Sequence, residues 1–341
     1  MKFLGLDVGG ANLKGASSDG WHASRTFPLW RQPELLSQAL CELIDQATTA
    51  GRIAATMTGE LADCFRTKRQ GVTFIIHALR EAAGERPLSI YLTDGRLVSP
   101  QVALEHPLLA AASNWHALAH HVAQSCEIDC GLLVDLGSTT CDIIPLIDMR
   151  VAAHGSTDTE RLIHGELVYT GVVRSPVCAV TAALPYRGNR CPVAQELFAT
   201  TLDAYLVLRH IDEDPADLQT ADGRPATREN ARARLARTIC ADAEHFDDED
   251  ARSAAEAIKN SQIVRIEESL ARVCGRLPAA PRTIVVSGQG EFLLREMLTC
   301  RRRSPEFGDA QVLSLSERLG EGLSRVAPAY ALARLAQRSE P

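Results

Sequence analysis

One plan occurs twice in this chain and narrows the folds open to it. "FLGLDVGGANLKGASSD" starts at Phe3, and "GLLVDLGSTTCDIIPLID" starts at Gly131. Each is an apolar strand leading to Asp, one residue, a Gly, a short polar bend and a second apolar strand. Aligned on the aspartates, Asp7 matches Asp135, Gly9 matches Gly137, Gly10 matches Ser138 and Lys14 matches Asp142. An internal repeat on this scale predicts two related domains facing each other.

The residue types at the bends point to phosphate and metal chemistry. Glycine permits positive φ and lacks the Cβ that would block a ligand from the backbone. Clustered N–H groups at such a bend attract phosphate oxygens. An Asp closing the first strand is a poor partner for phosphate, but it can hold magnesium, commonly through waters. Asp7 and Asp135 are therefore the candidate metal residues. Gly9, Gly10, Asn12, Lys14, Gly137, Ser138, Thr139 and Thr140 are the candidate phosphate binders. Plain β-hairpins also favour Gly and Asp at their turns; the recurrence argues against that simpler reading. A third turn, "VVSGQGEF", delivers Gly288, Gly290 and Glu291 from a strand to a helix start, which suits a nucleotide or another anion.

The rest of the chain alternates strand and helix patterns, as in an α/β layer structure. Helical patterns follow at "PELLSQALCELIDQATTA", near 71–84 and across 107–125. The middle, 193–277, is mostly helical. One helix there is capped by Thr227, and another is opened by the acidic run from Asp247 to Asp250, where carboxylates favour the N-terminal dipole. The division expected is a first domain over 1–128 and a second over 129–341 that carries this helical insertion, with the C-terminal helix free to pack back on the first domain. Residues 301–310, "RRRSPEFGDA", read as a surface loop without function.

Bulk properties exclude several function classes. A formal net charge of -7 argues against a general nucleic-acid binder. Apolar runs fall short of the roughly 18 residues of a membrane span. The start shows no signal-peptide pattern, so a cytoplasmic protein without membrane partners is expected. The 10 cysteines contain no C-x-x-C pair and read as reduced packing thiols. His116, His120 and His121 lack the Glu of H-E-x-x-H and read as ordinary helix histidines.

The paired hairpins and the late glycine turn resemble the superfamily of acetate and sugar kinases, heat-shock chaperones and actin. That resemblance implies an α/β fold of two RNase-H-like (actin-like ATPase) domains with a phosphate-binding cleft between them. Within it, "TMTGELADCF", "AASNWHALA", "DLGSTTCDIIPL", "GELVYTGVVRSPVCAV", "ELFATTLDAYLVL" and "TADGR" resemble the hydantoinase/oxoprolinase-like proteins of tetrahydromethanopterin-linked one-carbon metabolism. This closer resemblance implies a transferase of methanofuran or bacterial methylofuran biosynthesis. It would join an aminomethylfuran diphosphate to the phenol oxygen of γ-glutamyltyramine, or of a related tyrosine- or tyramine-derived acceptor, and release pyrophosphate.

For that reaction Asp7 and Asp135 would organise Mg2+, with Asp135 and Lys14 among the catalytic residues. Asp142 would be the base for the phenol, whose ordinary pKa is near 10, or a carboxylate behind the metal ligands. Thr58, Glu60 and Asp63 form either a substrate loop, with a carboxylate for a substrate ammonium, or a helix start capped by Thr58. Asn114 and Trp115 would face an aromatic ring, unless Trp115 only packs in the core. Asp158, Arg161, Glu166 and Tyr169 lie where the acceptor could bind, and Arg161 or Arg174 would suit its glutamyl carboxylate. The competing reading is an ATP-dependent small-molecule kinase, with the same hairpins on a triphosphate. A chaperone- or actin-like switch is weaker, because no long C-terminal substrate domain is evident. Self-association stays open.

Overall fold

A computed structural model describes residues 2–47, 50–300 and 310–339. Of the 301–310 segment, only Ala310 falls within them. The first sheet is built from β1 (Phe3–Val8), β2 (Asn12–Ser17), β3 (His22–Thr26), β4 (Arg52–Met57), β5 (Leu88–Tyr91) and β6 (Leu97–Val98), in the order β3-β2-β1-β4-β5-β6. Next along the chain come β7 (Cys130–Leu136), β8 (Cys141–Ile147), β9 (Arg150–Val151) and β10 (Leu167–Val168). A separate hairpin follows, β11 (Ala183–Tyr186) and β12 (Asn189–Pro192), then β13 (Thr283–Ser287) and β14 (Gln311–Ser314). The second sheet runs β10-β8-β7-β13-β14, with β9 added to β8.

The two sheets share one plan. β1 pairs antiparallel with β2 and parallel with β4; β7 pairs antiparallel with β8 and parallel with β13. A parallel strand in such a sheet is covered on both faces, and every residue of β1 is buried. Leu4, Leu6 and Val8 pack in the core that includes helices Leu36–Gln46 and Lys68–Ala83. Phe3 turns the other way, toward Leu332 and Leu335 of the helix Ala327–Arg338. That helix lies so close to β1 that a Cβ on Gly5 would strike the carbonyl of Ala329. The late helix therefore completes the first sheet's layer.

β7 divides its side chains in the same manner. Leu132, Val134 and Leu136 join a core with Ile266, Leu270 and Val273 of the long helix Asp248–Cys274. Leu133 packs with Trp115, Leu118 and Val122 of the helix Asn114–Ser125. The insertion has its own core, which includes Leu235, Phe246 and Ile258. Within it Arg234 is buried against Asp203, at 2.7 Å, and Asp222, at 3.0 Å.

Local signals explain the helix ends. The Thr227 hydroxyl accepts from the N–H of Asn230, and Asp247 closes a capping box with Asp250. Thr58 caps nothing: the next helix starts at Lys68, with Thr67 as its cap. Thr58 to Thr67 is instead a loop held by N–H groups of Thr58 and Gly59 on the Val8 carbonyl. No disulfide is formed by the cysteines from Cys41 to Cys274, and no described helix is long and apolar enough to cross a membrane.

Candidate active site

The repeat places its polar residues in register. Asp7 sits opposite Lys14 across β1 and β2, and Asp135 sits opposite Asp142 across β7 and β8. Each turn closes the same way. The Gly9 N–H donates to the Asn12 carbonyl at 3.0 Å, and the Gly137 N–H donates to the Thr140 carbonyl at 2.8 Å. Positive φ is not what these glycines supply, since Gly9, Gly10 and Gly137 are absent from the left-handed residues. Space is the reason at Gly9, where a Cβ would lie 2.8 Å from the Asn12 oxygen. At the tips, the N–H groups of Gly10, Ala11, Ser138 and Thr139 have no intramolecular acceptor among the described residues. They are available to an anion.

The two tips face a cleft of about 800 Å3. It is lined by Asp7, Gly9, Gly10, Asn12, Lys14, Asp135, Gly137, Ser138, Thr139, Thr140, Asp142 and Gly288. Thr58, Glu60, Asp63, Asn114, Trp115, Arg161 and Arg174 line the same cleft. Gly290 and Glu291 lie outside it, and their packing gives the reason. A Cβ on Gly290 would strike the Leu136 side chain, so this glycine lets a helix start press on β7. The Glu291 carboxylate accepts from the hydroxyls of Ser314 and Ser316 and ties that helix to β14. Of this turn, Gly288, at φ +91° and against Asp135, and its neighbour Gln289 line the cleft.

The buried acids are electrostatically strained. Asp7 is 4% exposed, and its Oδ1 has no hydrogen-bond partner among the described residues. Burial raises its pKa, while Lys14 and Asn114 pull it back. Asp135 is pushed up to about 6, chiefly by burial and then by the charge of Asp142, with Asp7 adding to it. Two hard carboxylates that repel each other, one with a bare oxygen, fit a divalent cation such as Mg2+. Asp142 is also raised by burial and held down by its ion pair with Arg161.

Arg161 organises the neighbouring wall. It is 1% exposed, pairs with Asp142, lies 3.6 Å from Asp158, and stacks 4.0 Å over the Trp115 ring. Trp115 packs in the core and also lines the cleft. Glu166 is buried elsewhere, accepting from the N–H groups of His154 and Gly155. Arg174 is exposed, with its guanidinium 5.7 Å from the centre of the Trp30 ring. Lys68, at the start of the helix Lys68–Ala83, reaches Asp158 at 3.1 Å.

Some site residues carried no local signal. Trp30, Ser24, Ser324, Arg325 and Pro328 also line the cleft. Gly171 lies under the second turn, where a Cβ would strike the Ser138–Thr139 peptide. The N–H groups of Val172, Val173 and Arg174 hold that turn from below through the carbonyls of Gly137 and Ser138.

Comparison with known proteins agrees with this architecture. Residues 52–338 match the family described as hydantoinase/oxoprolinase. The chain is 33% identical over 341 residues to the (4-{4-[2-(gamma-L-glutamylamino)ethyl]phenoxymethyl}furan-2-yl)methanamine synthase of Methanocaldococcus jannaschii, covering 99% of this chain and 98% of the relative. A protein of the same name from Methanococcus vannielii is 33% identical over 217 residues, 64% of this chain and 95% of the relative. Nucleotide-free acetone carboxylase superposes with a TM-score of 0.55 at 10% identity, over 97% of this chain and 70% of that chain. Lmo2764 of Listeria monocytogenes, provisionally named an N-acetylmannosamine kinase, does so with a TM-score of 0.52 at 13% identity, over the whole of both chains. At such identities the structural likeness shows the fold alone, an α/β fold shared with sugar kinases and actin-like ATPases. With its sequence matched over most of its length, the chain belongs to the hydantoinase/oxoprolinase family.

Proposed function

We propose that this protein is a transferase of methanofuran or methylofuran biosynthesis that makes the phenoxymethyl ether. Its substrates are an aminomethylfuran diphosphate and the phenol of γ-glutamyltyramine or a related tyrosine- or tyramine-derived acceptor. The full-length relationship to the Methanocaldococcus jannaschii synthase carries the reading, and the cleft supplies chemistry for it. The bond from the furfuryl carbon to the diphosphate oxygen breaks, and a bond from that carbon to the phenol oxygen forms. The phenol proton goes to a carboxylate, and pyrophosphate leaves.

Each part of the cleft has a task in this reaction. The N–H groups at the two tips, the Ser138, Thr139 and Thr140 hydroxyls, Asn12 and Lys14 bind the diphosphate and stabilise the charge that grows on it. Asp7 and Asp135 would hold Mg2+, which when bound supplies Lewis-acid stabilisation of the leaving pyrophosphate. Asp142 takes the phenol proton. Arg161 fixes one of its oxygens, and burial makes the carboxyl more basic than an ordinary aspartate. Trp115 and Asn114 flank the rings. Arg174, exposed over the Trp30 ring and lining the same cleft as Tyr169, meets the glutamyl carboxylate. Arg161, already paired with two aspartates, serves Asp142 rather than the substrate.

Incubation with the furan diphosphate, γ-glutamyltyramine and magnesium, followed by mass spectrometry, tests this directly. The expected result is the ether and one pyrophosphate per turnover without ATP. Calorimetry should show a preference for magnesium pyrophosphate over magnesium ATP. A phosphorylated product formed at the expense of ATP would overturn the reading in favour of a kinase.

A further inference from the structure

The shared plan of the sheets gives Glu60 a counterpart. β4 sets Thr56 beside Asp7, and β13 sets Ser287 beside Asp135. Four residues further on, the two strands reach Glu60 and Glu291. Glu291 is saturated by Ser314 and Ser316. Glu60 is more deeply buried, at 1% exposure against 7%, yet no side chain among the described residues bonds its carboxylate. The backbone N–H groups of Glu60 and Ala112 that favour its charge fall short of well-formed hydrogen bonds. The nearest cation acting on it, Lys68, is paired with Asp158.

Glu60 is also held rigidly and lines the cleft. A Cβ on Gly71 would strike its backbone, so the helix Lys68–Ala83 presses directly on it. On its other side, Gly59 packs on the first phosphate turn, where an added Cβ would lie 3.2 Å from the Gly9 carbonyl. A bare carboxylate in a dry wall is costly unless a cation joins it. Among the described residues the cation that acts on it, Lys68, is already held by Asp158, and the cleft is where a ligand enters.

We infer that Glu60 is the recognition site for the primary ammonium of the furan substrate, anchoring the ring beside the diphosphate turn. This rests on the proposed function, and it deepens it by naming which end of which substrate is read. The relative's product carries two amines: the furan methanamine and the α-amino group of the glutamyl end. The furan amine fits Glu60 because it shares one small ring with the carbon that bears the diphosphate. Glu60 is likewise one residue from the glycine packed on the first turn. The glutamyl amine lies beyond a phenyl ring and an ethyl linker, which suits the exposed side with Arg174 and Tyr169.

The test is calorimetry with furfurylamine, 2-ethylfuran and γ-glutamyltyramine, each with magnesium pyrophosphate present, on the wild type and Glu60→Gln. A charge-assisted hydrogen-bonded pair implies a loss of about 10- to 100-fold in furfurylamine affinity in the variant. Affinity for 2-ethylfuran should stay the same or rise. Equal losses for both furans, or a loss confined to γ-glutamyltyramine, would overturn the inference. Unchanged furfurylamine binding would do the same. If Glu60→Gln loses magnesium pyrophosphate binding as well, Glu60→Asp replaces it. That variant should bind furfurylamine more weakly yet still prefer it to 2-ethylfuran, and loss of the preference would refute the assignment. Turnover of the furan diphosphate is measured separately, so the reaction and the ammonium site can fail independently.

Discussion

Glu60→Gln also makes a stability prediction that needs no substrate. Burial pushes the Glu60 carboxyl up from 4.5 to about 7, with its own backbone N–H and then Lys68 only partly opposing it. Between those values the folded protein binds more protons than the unfolded chain, so stability is full below 4.5 and falls as pH rises through about 7. At 1.36 kcal/mol for each tenfold change in acidity, the ionised carboxylate costs the fold about 3 kcal/mol at pH 8. Glutamine keeps the shape and cannot ionise. The variant should therefore be more stable than the wild type by about 3 kcal/mol at pH 8 and by less than about 1 kcal/mol at pH 5. Urea unfolding at both pH values reads this out. With a slope near 3 kcal/mol/M, the midpoint should rise by about 1 M at pH 8 only. Equal midpoint differences at the two pH values, or a variant weaker at pH 8, would show that the charge of Glu60 is not what strains the fold.

Other expectations concern the same cleft. Asp135→Asn should abolish ether formation while circular dichroism shows a folded protein; near-normal turnover would remove the paired aspartates from the mechanism. Arg161→Met strands Asp142 without its partner and should cost about 3 kcal/mol in urea, most of which Arg161→Met combined with Asp142→Asn should recover. Gly171→Ala drives a Cβ into the Ser138–Thr139 peptide; it should lower stability by about 1–3 kcal/mol and weaken magnesium pyrophosphate binding in calorimetry. His116 and His121 are pushed down from 6.5 to about 4 by burial. Their contribution is present above pH 6.5 and lost as pH falls toward 4, so replacing His121 with Gln should flatten the acid limb of the stability curve.

The parts of the site that could be read from the sequence are those made by adjacent strands. Asp7 with Lys14 and Asp135 with Asp142 are separated only by a tight turn, so a repeated local pattern encodes their pairing. Trp30 reaches the same cleft, and Gly171 the underside of the second turn, through packing between distant segments, and no periodicity announces that. The third glycine turn shows the opposite failure. Strand, glycine and helix start have the same local signature whether the glycine admits a ligand or a neighbouring strand, and at Gly290 it admits Leu136. The Thr58 segment was ambiguous for a related reason: its hydroxyl and acids suit a cap, but its N–H groups are taken up by Val8. In the sequence Glu60 and Asp63 are equal candidates for a substrate ammonium. Only the contrast with Glu291 sets Glu60 apart.

The position of the helix Ala327–Arg338 has a consequence for how the molecule is made. It supplies the apolar partner of Phe3 and closes against Gly5. Synthesis runs from the amino end, so β1 leaves the ribosome well before this helix and waits for it before its layer is closed. The layer of the first sheet is thus begun early and closed late. Until then one face of β1 is uncovered, and the nascent chain presents that surface to chaperones or to other copies of itself. Dilution, temperature and translation rate should therefore govern the yield of soluble protein more strongly than the equilibrium stability of the finished fold.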